Sequence, residues 1–411
     1  MTTSFTHGRT ALPSSDVVVV GAGPYGLSVA AHLAAAGIDH RVFGVPMQTW
    51  RTAMPRQMLL KSDGCASSLS SPQPGCLLSD YCLERGVPYG DRDIPVPLET
   101  FVDYGLSFQR RLVPHLERAA VDRIMHTGRD YRVDLSTGET VNARRVVMAV
   151  GITHFARMPE NFSNVGSGRV THSSAHREFE EFAGRDVTVI GAGSSAVDIA
   201  VELAKAGAHS RLVTRGPAVR FSAKPDGGRQ TRRGRLRHPM SGLGPGWGSR
   251  LSCDVPGLFR HAPKKIRGEV VRRHLGPSSP WHLREAFESS VELVTARRIG
   301  EVKETEAGRI RVELLGTEAD HPLSVHTDHV ICATGYRADL SRLTMLDPSL
   351  RAAIRTANDA PALDASFQSS APGLYFVGNA AAMTFGPLMR FVFGTSFAAN
   401  RLVDRIGSAR D

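Results

Sequence analysis

No stretch of this 411-residue chain reads as a membrane span, because the apolar run after Asp16 is broken by Gly21, Gly23, Pro24 and Gly26. Residues 1–15 lack the apolar centre of a secretory leader, so a cytoplasmic protein with no membrane attachment is expected. Cysteine is scarce. Cys65, Cys76, Cys82, Cys253 and Cys332 are odd in number and contain no Cys-x-x-Cys pair. That argues against a disulfide framework and against the two-thiol electron relay of thioredoxin-reductase-like enzymes. No Ser-His-Asp set, carboxylate pair or metal-binding cluster stands out, so no metal is expected.

Hydrophobic residues make up 41% of the chain, which places it among globular proteins, with length for two or three domains. Charge is unevenly placed. Between 211 and 275 there are 16 Lys/Arg against 3 Asp/Glu, so this segment alone carries +13 of a formal net +10. The rest is slightly acidic. Such asymmetry points to an anionic partner: a phosphorylated coenzyme, an acidic substrate or, less favoured, nucleic acid.

Two units resemble each other. Residues 16–37 read DVVVVGAGPYGLSVAAHLAAAG and residues 186–207 read DVTVIGAGSSAVDIAVELAKAG. Each is a short apolar run, a Gly-rich turn, a helical Ala/Leu/Val pattern and a closing Gly, followed by a second apolar run at 41–43 or 211–214. This is β–turn–α–β, twice. Residues 131–141 alternate around Ser-Thr-Gly as a hairpin, and 146–151 (VVMAVG) form a buried strand. Residues 310–314 and 330–335 repeat that order. Residues 216–279 are rich in Gly, Pro and Arg and read as an irregular insertion. The chain closes with a strand at 373–378 and a helix over 387–406.

Gly21-x-Gly23-x-x-Gly26 fits the dinucleotide fingerprint. Gly21 permits the tight turn, Gly23 lets the pyrophosphate approach the backbone, and Gly26 lets helix and strand pack closely. Pro24 opens the helix and Tyr25 follows it. The acid expected at the end of the second strand is missing, since Val42-Phe43-Gly44-Val45 stands there. FAD is preferred at this site because Gly378 and Asn379 follow a late strand and Pro387-Leu388 can open a helix toward the flavin pyrimidine ring.

Gly191-x-Gly193-x-x-Ala196, with Ser194 and Ser195 between, repeats the fingerprint with Ala in the third place. Its second strand ends in Thr214-Arg215 rather than an acid. Arg215 can pair with a 2′-phosphate that a carboxylate would repel, with Arg220 and Lys224 nearby, so NADPH is preferred to NADH.

The order GAGPYG (21–26), GAGSSA (191–196), ATGY (333–336) and GLYFVGN (373–379) resembles the class B flavin monooxygenases: flavin-containing monooxygenases, lysine and ornithine N-hydroxylases, and Baeyer–Villiger monooxygenases. Gly168-x-x-x-His172 is similar to that family's F-x-G-x-x-x-H-x-x-x-W fingerprint, but Gly166 and His176 replace its aromatic ends. His172 alone reads as a structural linker. The resemblance also implies that Trp50, Leu60 and Lys61 run beneath the flavin ring, and that Asp63 falls near an active-site acid orienting the nicotinamide.

The implied fold is α/β, two Rossmann-type domains of three-layer ββα/α build, the second inserted in the first. The FAD-binding domain takes 1–160 plus 322–411. The NADP-binding domain takes 161–321, carrying the basic insertion 216–279. The implied activity is an NADPH-dependent monooxygenase: NADPH reduces FAD, O2 adds at flavin C4a, and the peroxyflavin oxygenates a small molecule, with N-hydroxylation preferred. Alternatives are hydroxylation of an anionic heterocycle such as a purine, electron transfer to a protein partner, or a nucleotide-binding regulator. A homo-oligomer stays open. The insertion is expected to fold over the junction of the two domains and hold an anion, with Arg232 and Arg233 as contributors.

Overall fold

The computed structural model describes residues 14–92, 94–166, 168–224, 238–273, 278–316 and 321–408. Arg232 and Arg233 lie outside the described residues. The fold is mixed α/β with two parallel-strand sheets.

The first sheet begins with β1 (Ser14–Val20), whose alternating side chains are all apolar after Asp16 because both faces are covered. Val17 and Val19 face α1 (Pro24–Ala35), α2 (Leu98–Leu112) and the C-terminal helix. Val18 and Val20 face an antiparallel meander of β3 (Val121–His126), β4 (Tyr131–Leu135) and β5 (Thr140–Met148). β1 pairs in parallel with β2 (His40–Phe43) on one side and β5 on the other. The first part of β5 pairs antiparallel with β4, closing the hairpin expected from 131–141. Its last three residues then pair in parallel with a late strand, Leu374–Phe376.

The second sheet is entirely parallel. β6 (Val170–His172), β7 (Asp186–Ile190), β8 (His209–Val213), β9 (Glu292–Val294) and a strand at His329–Cys332 lie in the order β9-β8-β7, then His329–Cys332, then β6. Val187 and Val189 pack on α3 (Ser194–Lys205), while Ile190 faces a meander of β10 (Arg297–Glu304), β11 (Ile310–Gly316) and β12 (Leu323–Thr327). The repeat seen in the sequence is therefore a repeat of layers: helix, parallel sheet, meander.

Two expectations need correction. A boundary at 321/322 would cut β12 from its partner β11 and remove His329–Cys332 from its place beside β7. Strand pairing puts the return to the first sheet after Cys332. The single helix expected over 387–406 is three pieces: 3-10 turns at Pro387–Arg390 and Val392–Gly394, then a helix at Thr395–Ser408. Phe391 is extended (φ −122°, ψ 154°), and Gly394 lies where an added Cβ would sit 2.4 Å from the Tyr25 hydroxyl. The chain steps out of helical geometry to pass Tyr25.

Among its described residues the insertion forms helices α4 (Trp247–Asp254) and α5 (Lys264–Arg273). It leaves the second sheet, where Phe221 and Ser279 bridge its two ends. It then crosses to the first lobe. The Phe259 ring lies 3.2 Å from where a Cβ on Gly386 would be, and Arg267 Nη1 donates to the Met383 carbonyl at 2.9 Å. No helix among the described residues is long and apolar enough to cross a membrane.

Candidate functional site

Each parallel sheet carries one glycine-lined turn between its first strand and helix, and the two are built alike. Gly21 has φ 110°, open to glycine but strained for other residues, and a Cβ there would sit 2.3 Å from the Ala149 carbonyl oxygen. A Cβ on Gly26 would sit 1.9 Å from the Gly21 carbonyl oxygen. Gly23 caps α1 in an extended conformation, and a Cβ there would meet nothing within 4 Å. The first and third glycines are required by packing. The second faces open space at a helix N-terminus, where the first-turn N–H groups have no acceptor within the helix. Pro24 occupies the first turn of α1, where its missing N–H costs nothing.

The second turn repeats this. A Cβ on Gly191 would lie 2.5 Å from the Ala333 carbonyl oxygen, and Gly193 again opens on space. Ala196 is fully buried against Gly191, so this helix stands off its strand by the thickness of a methyl group. Ala149 and Ala333, which back the two turns, were not singled out from the sequence. Their shared setting at strand ends, Ala149-Val150-Gly151 and Ala333-Thr334-Gly335, was the available signal.

Position 44 shows why the first site has no strand-end acid. Gly44 has φ 139°, and a Cβ there would press 3.2 Å from the Ala22 amide nitrogen. Glu117, whose backbone pairs with Phe43 and Gly44, spends both carboxylate oxygens on Arg41 at 2.7 and 2.6 Å. The strand end is therefore closed to a free carboxylate by its own backbone.

The remaining residues expected at the flavin site line the first lobe. Trp50 packs edge-on against Phe101 at 4.7 Å. Leu60 is buried and its N–H donates to the Val96 carbonyl. Asp63 caps a 3-10 turn, with its backbone carbonyl accepting from the Ala66 N–H and the Ser67 hydroxyl. Lys61 reaches across to the insertion, donating to the Ser278 carbonyl at 2.5 Å. Gly378 (φ 69°) lies against the Tyr25 ring, and the Asn379 amide nitrogen is buried without a partner. Pro387 and Leu388 are buried in the 3-10 turn that Tyr25 caps.

In the second lobe, Ser194 opens α3 and donates to Asp198 at 3.2 Å, while Ser195 is exposed. Asp198, which sequence reasoning missed, is buried, and that burial pushes its carboxyl up to about 7. Arg215 is exposed two residues past the end of β8. The Lys224 ammonium sits over the Trp281 ring at 5.4 Å. His172 is buried, accepting from the Ser174 N–H on Nδ1 and facing the Gly335 carbonyl with Nε2 at 3.2 Å. Burial holds it below the usual histidine range, as a neutral brace between β6 and the ATGY turn.

An "FAD binding domain" family model matches residues 14–61, covering the first glycine turn, and a "Pyridine nucleotide-disulphide oxidoreductase" model matches 108–227, covering the second. A rice (Oryza sativa subsp. japonica) relative named indole-3-pyruvate monooxygenase YUCCA1 is 30% identical over 204 residues, 48% of this chain and 47% of its own. The chain thus spans about half the length of the curated relatives it matches. Among solved structures, the Kutzneria sp. 744 ornithine N-hydroxylase superposes with a TM-score of 0.77 at 18% identity, covering 97% of this chain and 100% of that one. A Bacillus cereus bacillithiol disulfide reductase gives 0.65 at 18% identity, covering 96% and 99%. The likeness to these structures is one of fold, and the sequence matches add the flavin. The matched family models mark an FAD-binding oxidoreductase, and the chain is similar to the flavin monooxygenases.

Proposed function

We propose that the chain is an NADPH-dependent monooxygenase acting on a small molecule, with N-hydroxylation the preferred outcome. One observation carries this reading: two glycine turns of the same build, one per sheet, each with its middle glycine facing open space at a helix N-terminus. Two such turns suit two dinucleotides in one molecule. In this reading the first lobe, residues up to 160 and those after Cys332, is the FAD-binding domain. The second is an NADP-binding domain inserted in it.

The residues fit the cofactors. Gly23 and the α1 N-terminus would receive the FAD pyrophosphate, and the Asn379 amide, buried with no partner, supplies a donor for the flavin. Trp50, Leu60, Lys61 and Leu388 would wall the ring side. Gly193, Ser194 and Ser195 would receive the NADP pyrophosphate, and Arg215 the 2′-phosphate. Asp63, whose carbonyl closes a turn, is nominated to orient the nicotinamide. Bound FAD would supply the oxygen-activating chemistry, with O2 as co-substrate and electrons from NADPH. The chain's own part is to bind, align and exclude water; the insertion crossing from Ser279 to Gly386 is placed to shield the junction. The rice relative's printed activity supports the monooxygenase class, and the Kutzneria fold supports the N-hydroxylase preference.

The fold shared with a disulfide reductase keeps electron transfer to a partner as a second reading. Oxygen uptake driven by NADPH, with one oxygen atom from labelled O2 in an added amine, is the expected result. NADPH oxidation that needs an artificial electron acceptor and leaves O2 untouched would favour the reductase instead.

A further inference from the structure

Helix α4 is turned against its own composition. Its small side chains face the protein: Ser249 is buried, and Cys253 packs on the first-lobe core. Its large apolar side chains face out, Trp247 at 56% and Leu251 at 57% exposure, one helical turn apart. The stripe continues past the helix end. The Val255 N–H donates to the Leu251 carbonyl at 3.1 Å and the Leu258 N–H to the Val255 carbonyl at 3.0 Å, and both of these side chains are exposed. Ile266, in the first turn of α5, is exposed as well. Of the thirteen large apolar side chains exposed among the described residues, five therefore fall between 247 and 266. The isolated fold gains nothing from such a concentration, which marks an interaction surface.

The same surface is basic. Residues 247–273 hold seven Lys/Arg against two Asp/Glu. Both carboxylates are engaged within the segment, Asp254 with Arg250 at 2.6 Å and Glu269 with Arg272 and Arg273. α5 opens with exposed Lys264 and Lys265 and has no acidic residue in its first turn, although a helix N-terminus disfavours cations. We propose that α4, the turn Pro256–His261 and the first turn of α5 form the docking face for an acidic protein, one whose carboxylates surround an apolar centre. A second copy of this chain would set the same cations against one another. A nucleic acid would leave the apolar stripe unburied. An anionic bilayer would set its charge against Asp254, half exposed between Leu251 and Val255, whereas at a protein rim that carboxylate stays paired with Arg250. The face is also coupled to the first lobe. Phe259 and Arg267, next in sequence to Leu258 and Ile266, hold Gly386 and the Met383 carbonyl just ahead of the turn at Pro387–Arg390. Neither the stripe nor the two lysines belong to the glycine turns, so docking does not depend on which reaction those turns serve.

The test uses the full-length FAD-loaded protein and titration calorimetry with three synthetic helical peptides of one length. One is an amphipathic Leu/Glu helix, the second its Ser/Glu twin without the apolar face, the third its Leu/Lys twin of opposite charge. The Leu/Glu peptide is expected to bind at least about tenfold more tightly than either twin, and added salt to weaken it. Leu251→Ser with Leu258→Ser, and separately Lys264→Glu with Lys265→Glu, are each expected to cost about tenfold or more, with FAD content unchanged and NADP⁺ affinity within about twofold. Arg298→Glu with Lys303→Glu, the same change of charge placed on β10, is expected to leave peptide binding within about twofold. Equal affinity for the Leu/Glu and Ser/Glu peptides in the unmodified protein, or no binding of either, overturns the docking face without recourse to any variant. Equal losses in the α5 and β10 charge variants also overturn it, leaving only attraction to the net charge of the chain. Two further outcomes reassign the face and overturn the acidic protein. One is binding to vesicles of phosphatidylcholine and phosphatidylglycerol that the leucine variant loses, with no preference among the peptides. The other is a dimer in light scattering that the leucine variant breaks.

Discussion

The Tyr25 hydroxyl, at the first turn of α1, donates to the Phe391 carbonyl at 2.9 Å, joining segments 366 residues apart. Its ring lies against Gly378, its hydroxyl lies near Gly394, and burial keeps the phenol neutral. One side chain thus ties the first glycine turn to both stretches expected to face the flavin.

Tyr25→Phe should therefore remove one of the two hydrogen bonds that the Phe391 carbonyl accepts, the other coming from the Gly394 N–H at 3.1 Å, without opening a cavity. A cost of about 1 kcal/mol is expected for losing such a buried hydrogen bond. The urea midpoint of the apoprotein should fall, and FAD should be released faster. An unchanged midpoint together with unchanged FAD release would show that the Gly394 N–H alone satisfies the Phe391 carbonyl.

The three glycines of the first turn should fail in different ways. A Cβ at position 23 would meet nothing within 4 Å, so the Gly23→Val chain should fold and emerge colourless, its pyrophosphate approach blocked. Gly26→Ala places a methyl 1.9 Å from the Gly21 carbonyl oxygen and should lower stability whether or not FAD is present. Circular dichroism with flavin absorbance separates the two. A Gly23→Val protein with full FAD occupancy would remove the site from this turn.

Arg215→Ala should weaken NADPH far more than NADH. Arg215 is exposed beyond β8, and loss of a charge-assisted contact to a phosphate costs on the order of 1.5–3 kcal/mol, roughly tenfold to over a hundredfold in affinity. Equal losses for the two coenzymes would mean that Arg215 does not read the 2′-phosphate.

Much of this architecture was legible because the glycine turns are local. A strand, a turn of fixed glycine spacing and a helix lie within about twenty residues, so Gly21 and Gly191 carry their roles in the sequence itself. What the sequence hid is what comes from afar. The carbonyls of Ala149 and Ala333 reach the turns through neighbouring strands. The break in the C-terminal helix at Phe391 is set by Tyr25, and no local propensity marks it. The acid missing at Gly44 reads in the sequence as a departure from the fingerprint, and the crowding of that backbone against Ala22 accounts for it. The insertion's charge and position suggested that it folds over the junction, but not which residues reach across, Phe259 to Gly386 and Arg267 to the Met383 carbonyl.

Asp198 offers a test that needs no ligand. It is 6% exposed, accepts from Ser194, and is flanked by Glu202, Lys61 and Lys205. Burial pushes its carboxyl up to about 7, and the smaller influences of Ser194, Lys61 and Lys205 pull it down. In the unfolded chain it titrates near the ordinary aspartate value of about 3.9. Between these values the native state holds a proton that the unfolded state has released, so this group's contribution to stability falls as pH rises from about 4 to about 7. Above that window the native protein carries a buried carboxylate and the penalty is constant. Asp198→Asn keeps an acceptor for Ser194 and removes the titration. Its stability relative to the unmodified protein should rise across the window and level off near pH 8, by an amount on the order of 2–4 kcal/mol. Urea unfolding at intervals from pH 4 to 8 measures this directly. Parallel curves for the two proteins would show that Asp198 is already ionised at low pH, held so by Lys61 more strongly than burial opposes it.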